Sequence, residues 1–152
     1  MQTKTGIRPF QAEDMMAIIE MGVKEDGIKY YGHANLEELA KETEKEGRSV
    51  TGIVNDVIVG CGGIRTLWDG VGEVWLILSP QTSMYPIKTF RCIRDGLQKL
   101  IDENEFVRLQ GWCRVGFIKA HTLFRHLGFT VEGRARKYTP DQCDCILYAK
   151  VK

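Results

Sequence analysis

Residues Phe117 to Tyr138 read FIKAHTLFRHLGFTVEGRARKY. Apolar residues at Phe117, Ala120, Phe124 and Leu127 recur at helical spacing, so this stretch opens as a short amphipathic helix. Gly128 stands where a helix closes in a left-handed cap, which glycine adopts at no steric cost. Phe129 and Val131 then begin an alternating strand that runs to Lys137 and leaves with a basic end, Arg134-Ala135-Arg136-Lys137.

Working outward, Val107–Cys113 reads as a strand and Pro86–Asn104 as a long helix, with Ile87, Phe90, Ile93, Leu97, Leu100 and Ile101 as its apolar stripe. Proline suits the first turn, where its missing N–H has no intrahelical acceptor to lose. Glu73–Leu78 is apolar on both faces apart from Glu73, which predicts a central strand, and Gly70 and Gly72 bracket Val71 in an expected turn before it. Ser49–Val54 and Val57–Ile64 flank Asn55-Asp56, a tight hairpin signal. Gly60-Cys61-Gly62-Gly63 predicts a bulge or a close backbone approach, not a phosphate loop, because no helix follows it. Asn35 is an N-cap for a helix, with Glu38 three residues on, and Leu36, Leu39, Ala40 and Thr43 mark its buried side. An earlier helix starts near Gln11. Glu13 and Asp14 lie in its first turn, where acids suit the helix dipole, and Met15, Ile18, Ile19, Gly22 and Val23 form its inward stripe. Thr5–Pro9 is the first strand. The last, Cys143–Val151, puts Cys143, Cys145, Leu147, Ala149 and Val151 on one face. The order is β-α-α-β-β-β-α-β-α-β-β.

At 152 residues the chain suits a single domain over 1–152 with a sizeable core, and 43% hydrophobic with 27% charged residues is an ordinary globular composition. A net charge of +1 gives no global pull toward nucleic acid, which is not expected as a partner. No apolar run is long enough to span a bilayer, and MQTKTGIRPF lacks the apolar core of a signal peptide, so a cytoplasmic setting without membrane contact is the expectation. Five cysteines, an odd number, argue against a disulfide framework, and Cys143 and Cys145 lack the second close pair that a zinc site would need.

The helix–LGF–strand–EGR unit of Phe117–Tyr138, together with the element order, resembles the GNAT superfamily of N-acyltransferases over nearly the whole chain. The resemblance implies an α/β (α+β) fold with a mixed, mainly antiparallel central sheet flanked by four helices. It implies acetyl-CoA as cofactor and an amine of a small molecule or protein as acceptor, while a homo-oligomer stays open. In that family a pyrophosphate sits on backbone N–H groups at the start of the long helix, an anion site made by donors with no internal partner. The family pattern [Gln/Arg]-x-x-Gly-x-[Gly/Ala] falls on Met84-Tyr85-Pro86-Ile87-Lys88-Thr89. Neither glycine is present, and Pro86 has no N–H. Lys88, Thr89 and Arg91 are the expected substitutes, binding phosphate through side chains, with Leu78 and Ser79 at the end of the central strand as further cofactor contacts.

Glu73 matches the position at which several family members carry a general base, a role that burial favours by raising a carboxyl pKa. The tyrosine that often protonates the leaving thiolate falls on Phe124, which has no proton to give, and Phe117 stands in the register of a frequent asparagine. Tyr85 or Tyr138 would be the substitute, and nothing in the sequence selects between them. His121 and His126 lie five apart on the helix, and such histidines are more often surface or satisfied packing residues. Trp68, Trp75 and Trp112 are expected to pack in the core or on a sheet face. The basic run is expected to be a solvated strand end. Lys29-Tyr30-Tyr31-Gly32-His33 falls in the segment that often shapes acceptor choice in the family. The alternative is a non-catalytic GNAT-like binding protein, similar to small GNAT-like proteins of tailed phages, some virion-associated. In that case the setting would be the host cytoplasm or the virion.

Overall fold

The computed structural model describes residues 3–22 and 35–152. Val23 and the segment 29–33 singled out above lie outside them. The elements are β1 (Gly6–Pro9), α1 (Ala12–Met21), α2 (Leu36–Glu46), β2 (Ser49–Val54), β3 (Val57–Trp68), β4 (Val71–Leu78), a 3-10 turn (Pro80–Met84), α3 (Pro86–Glu103), β5 (Arg108–Arg114), α4 (Ile118–His126), β6 (Thr130–Ala135) and β7 (Cys145–Val151). The seven strands are ordered β1-β2-β3-β4-β5-β7-β6. This is a mixed, mostly antiparallel sheet, with β4 central as its two-sided apolar pattern predicts.

The local signals act as read. Asn55 and Asp56 take φ of 49° and 67° and close the β2–β3 hairpin, the doubly left-handed turn that matches strand twist. The Asn35 side chain accepts from the Glu38 N–H at 3.1 Å. Gly128, at φ 88°, ends α4. A Cβ on Gly60 or Gly62 would come within 2.8 Å of the carbonyl oxygens of Ile77 or Trp75, so this run does mark a close approach. The bulge sits just before it, where Val59 falls between the rungs Gly52–Gly60 and Ile53–Ile58.

Other positions differ. The turn before β4 is Asp69-Gly70, while Val71 and Gly72 already belong to the strand. Gly22 is the exposed C-cap of α1, not part of its inward stripe. Lys137 and Cys143 lie outside β6 and β7, because the β6–β7 connection takes left-handed φ at Lys137 and Gln142. On α3 the buried residues are Thr89, Cys92, Gly96 and Leu100. Ile87 is 67% exposed, because the stripe is phased on Cys92 and Gly96, where α3 approaches β2. Trp68, at the end of β3, is exposed, whereas Trp75 is buried edge-on to Phe10.

The chain divides into two compact units. The first comprises residues 1–65 and 75–104, and its core joins Phe10, Met15, Ile18, Ala40, Cys61, Trp75 and Ile77. Burial of those side chains from water is its main stabilisation. Asp14 also lies inside this unit. Arg8 Nη1 and Nη2 donate to its two oxygens at 2.7 Å each, Thr51 Oγ1 at 2.7 Å and the Gln11 N–H at 2.9 Å. Burial alone would raise the Asp14 pKa, but the bonds from Arg8, Thr51 and Gln11 outweigh it and hold the carboxyl below its ordinary value.

The second unit comprises residues 66–74 and 105–152. Under α4, Phe124 stacks on Tyr148 with centroids 4.6 Å apart and meets Phe129 edge-on. His121 is buried here. Its Nε2 lies 2.9 Å from the Arg114 carbonyl and its Nδ1 lies 2.7 Å from the Tyr148 hydroxyl. A carbonyl only accepts, so Nε2 carries the proton and, in the neutral ring, Tyr148 donates to Nδ1. His121 is therefore a satisfied packing residue.

Candidate active site

The second unit holds Glu73. Strands β4 and β5 run parallel and pair only through Val71–Arg108, Gly72–Leu109 and Glu73–Gln110. By contrast β5 pairs with β7 along all seven of its residues. Glu73 thus stands on the last rung, half-buried. Paired residues of neighbouring strands share a face and side chains alternate along each strand. Glu73, Gln110 and Trp112 therefore lie on one face, and Leu109, Gly111 and Cys113 on the other. On that other face a Cβ at Gly111 would meet Val74 at 2.8 Å and Phe124 Cζ at 2.7 Å. The Phe124 ring thus reaches the first position past the ladder, with a carbon where a tyrosine would hold its hydroxyl.

Tyr138 belongs to the same unit as Glu73, and its ring stacks on Trp112 with centroids 4.5 Å apart. Burial, then the neighbouring Glu73 and Cys145, push the Tyr138 phenol above its ordinary value. Tyr85 belongs to the first unit and packs against Val54, Val59 and Cys92. Of the two tyrosines left open by the sequence, Tyr138 is the one that shares a unit with Glu73. The basic run is tied down in part: Arg134 pairs with Asp144 at 2.7 Å, and the Lys137 N–H donates to the same carboxylate.

The first unit holds the other expected residues. Leu78 ends β4, half-buried. Ser79 is fully buried and its polar groups are engaged: its N–H donates to Val59, its hydroxyl donates to Ile58 and accepts from the Gln81 N–H, and its carbonyl accepts from Thr82. Ser79 thereby shapes the turn that leads into α3. At the start of α3, Pro86 offers no N–H and that of Thr89 is bonded to the Tyr85 carbonyl at 2.9 Å. Helix geometry leaves the N–H groups of Ile87 and Lys88 without an intrahelical acceptor. The Thr89 hydroxyl is buried with no hydrogen-bond partner among the described residues. Lys88 and Arg91 are exposed on the outer side, whereas Thr89 faces inward.

Neighbours of known structure align along nearly the whole chain. An acetyltransferase of the GNAT family from Bacillus anthracis matches with a TM-score of 0.75, 17% identity, and coverage of 99% of this chain and 98% of that one. The chain has the GNAT fold. Ard1 from Thermoplasma volcanium aligns with a TM-score of 0.78 at 13% identity, covering 97% of each chain. A ribosomal-protein-alanine N-acetyltransferase from Brucella melitensis aligns at 0.76 with 14% identity, over 96% of this chain and 99% of that one. No family model matches the sequence, and no curated protein is a significant match.

Acetyl-CoA is the usual donor of GNAT-fold acetyltransferases. The start of α3 fits a phosphate of such a donor with a reduced set of partners, the N–H groups of Ile87 and Lys88 and the exposed cations of Lys88 and Arg91; the Thr89 hydroxyl, expected as a further ligand, is buried and faces away from them. Among the described residues no group of histidines, cysteines or carboxylates could hold a metal ion, and no helix is long and apolar enough to cross a membrane.

Proposed function

We propose that the chain is an acetyl-CoA-dependent N-acetyltransferase that modifies an amine of a small molecule or protein. The observation that carries this reading is Glu73 on the last rung of a parallel β4–β5 ladder that stops after three pairs. When bound, acetyl-CoA would supply an acyl group activated as a thioester. Lys88 and Arg91 would hold its phosphates, with Leu78 at the end of β4, while the buried Ser79 and Thr89 shape the turn and the first turn of the helix behind them. Glu73, directly or through one water, would take the proton that the amine loses on attack. Positioning the amine supplies much of the remaining rate enhancement.

Calorimetric titration with acetyl-CoA tests the cofactor. Charge-assisted contacts from exposed cations predict binding that weakens with added salt. The double variant Lys88→Ala, Arg91→Ala is expected to bind roughly tenfold more weakly. No detectable binding to the unaltered protein removes the cofactor, and a double variant that binds as tightly removes the side-chain phosphate site.

The leaving group gives a separate test. Phe124→Tyr puts a hydroxyl beside Gly111 and Val74, and a positioned acid is expected to raise kcat, by roughly tenfold or more if departure of the thiolate limits turnover. Single-turnover kinetics with a fixed amine measure this. An unchanged rate means that departure of the thiolate does not draw on an acid at this position.

A further inference from the structure

Gly111 is the first residue of β5 past its three rungs with β4, and Val74 is the first residue of β4 past them. The space that the missing Cβ leaves is already taken. A Cβ at Gly111 would lie 2.8 Å from Val74 Cγ2, and 2.7 and 2.9 Å from Phe124 Cζ and Cε1. Two apolar side chains therefore close the end of the ladder on the α4 face. The Phe124 ring has nowhere to retreat. Tyr148, buried, covers one of its faces within 2° of parallel, and the buried Phe129 meets it edge-on at 5.2 Å. His121 holds the Tyr148 hydroxyl in turn. Phe124 is nonetheless only half-buried, so part of its ring stays within reach of a ligand.

We propose that Phe124, with Val74 beside it, sets the length of the acyl group that the protein transfers, admitting acetyl and rejecting propionyl and longer groups. The inference rests on the acyl-transfer reading and adds to it the donor class and the residue that fixes that class. The amine nitrogen bonds to the acyl carbon, the carbon–sulfur bond breaks, the amine's proton goes to Glu73 and CoA leaves as its thiolate. The acyl carbon must therefore stand near Glu73, on the last rung, and Val74 and Gly111 are the next residues along. One residue of strand is about 3.3 Å long, which is room for a methyl beyond the carbonyl and for no further carbon. A wall backed by close-packed rings does not yield to an added methylene without strain. Tyr148 and His121 act through Phe124 and are positioning residues.

The probes are acetyl-CoA, propionyl-CoA and butyryl-CoA, each with the full chain and one fixed amine, followed by single-turnover kinetics. The unaltered protein is expected to transfer acetyl at least roughly tenfold faster than propionyl, the low end for one methylene in an apolar site, and butyryl more slowly still. Phe124→Ala is expected to narrow the acetyl-to-propionyl ratio by roughly tenfold. The ratio is the readout because a purely structural loss slows all three donors together. Phe124→Leu, a smaller cut, is expected to move the ratio the same way and serves where the alanine variant does not fold. Equal transfer of acetyl and propionyl by the unaltered protein, or a ratio unmoved in a folded Phe124 variant, overturns the wall and leaves the transferase standing. No transfer from any of the donors removes the transferase and the wall with it.

Discussion

Glu73→Gln is expected to lower kcat for amine acetylation by roughly 10²-fold or more, the usual contribution of a positioned general base. Glutamine keeps the size and the β4 register of glutamate but cannot accept the amine's proton at neutral pH. Affinity for acetyl-CoA should stay unchanged in calorimetry, because the proposed phosphate partners belong to α3. The pH–rate profile should also lose the limb on which the base titrates. A variant that turns over at the original rate would remove Glu73 from catalysis and leave it as a carboxylate that polarises Tyr138.

Asp14→Ala is expected to cost about 2–3 kcal/mol of stability, at or just below the low end of the roughly 3–5 kcal/mol for removing one partner of a fully buried ion pair. Arg8 is a third exposed and therefore screened, which keeps the loss from being larger. The rest comes from the Thr51 hydroxyl, fully buried and left without its acceptor. Urea unfolding should show a lower midpoint at an unchanged slope. The pH dependence follows from the direction of the shift. The folded-state pKa of Asp14 lies below its ordinary value of 3.8. Its stabilisation is complete above that value and is lost as pH falls through the folded pKa. Below that point the gap between Asp14→Ala and the unaltered protein should close. A constant gap down to pH 2 would mean that the loss is packing and not charge.

Much of the fold was legible because its signals are local. The Asn55-Asp56 turn, the Asn35 cap and the Gly128 stop each depend on the backbone preferences of one to four neighbouring residues, and the structure has all three. Periodicity was weaker where an amphipathic face carries small residues. The stripe of α3 was read from its large residues, yet it turns on Cys92 and Gly96, since Gly96 lets the helix approach Val50 more closely than a side chain would allow. Asp14 shows a different limit. The helix dipole accounts for an acid in a first turn, and no local rule says that Thr51 will donate to it from a strand 37 residues away.

The candidate site divides the same way. Glu73 and the residues of α3 could be named in advance because a family pattern fixes their spacing along the chain. Trp112 and Tyr138 could not be paired in advance. They lie on β5 and in the β6–β7 connection, and their stacking depends on β7 pairing between β5 and β6. His121 was similarly ambiguous until Tyr148 and the Arg114 carbonyl supplied its two partners. By itself the sequence determined the order, type and caps of the elements, because those follow from short-range backbone and side-chain preferences. Tertiary structure alone decided the register that halts the β4–β5 ladder at Glu73 and the company that Glu73 keeps. The reason is that register is set by the sum of many weak contacts between residues far apart in the chain.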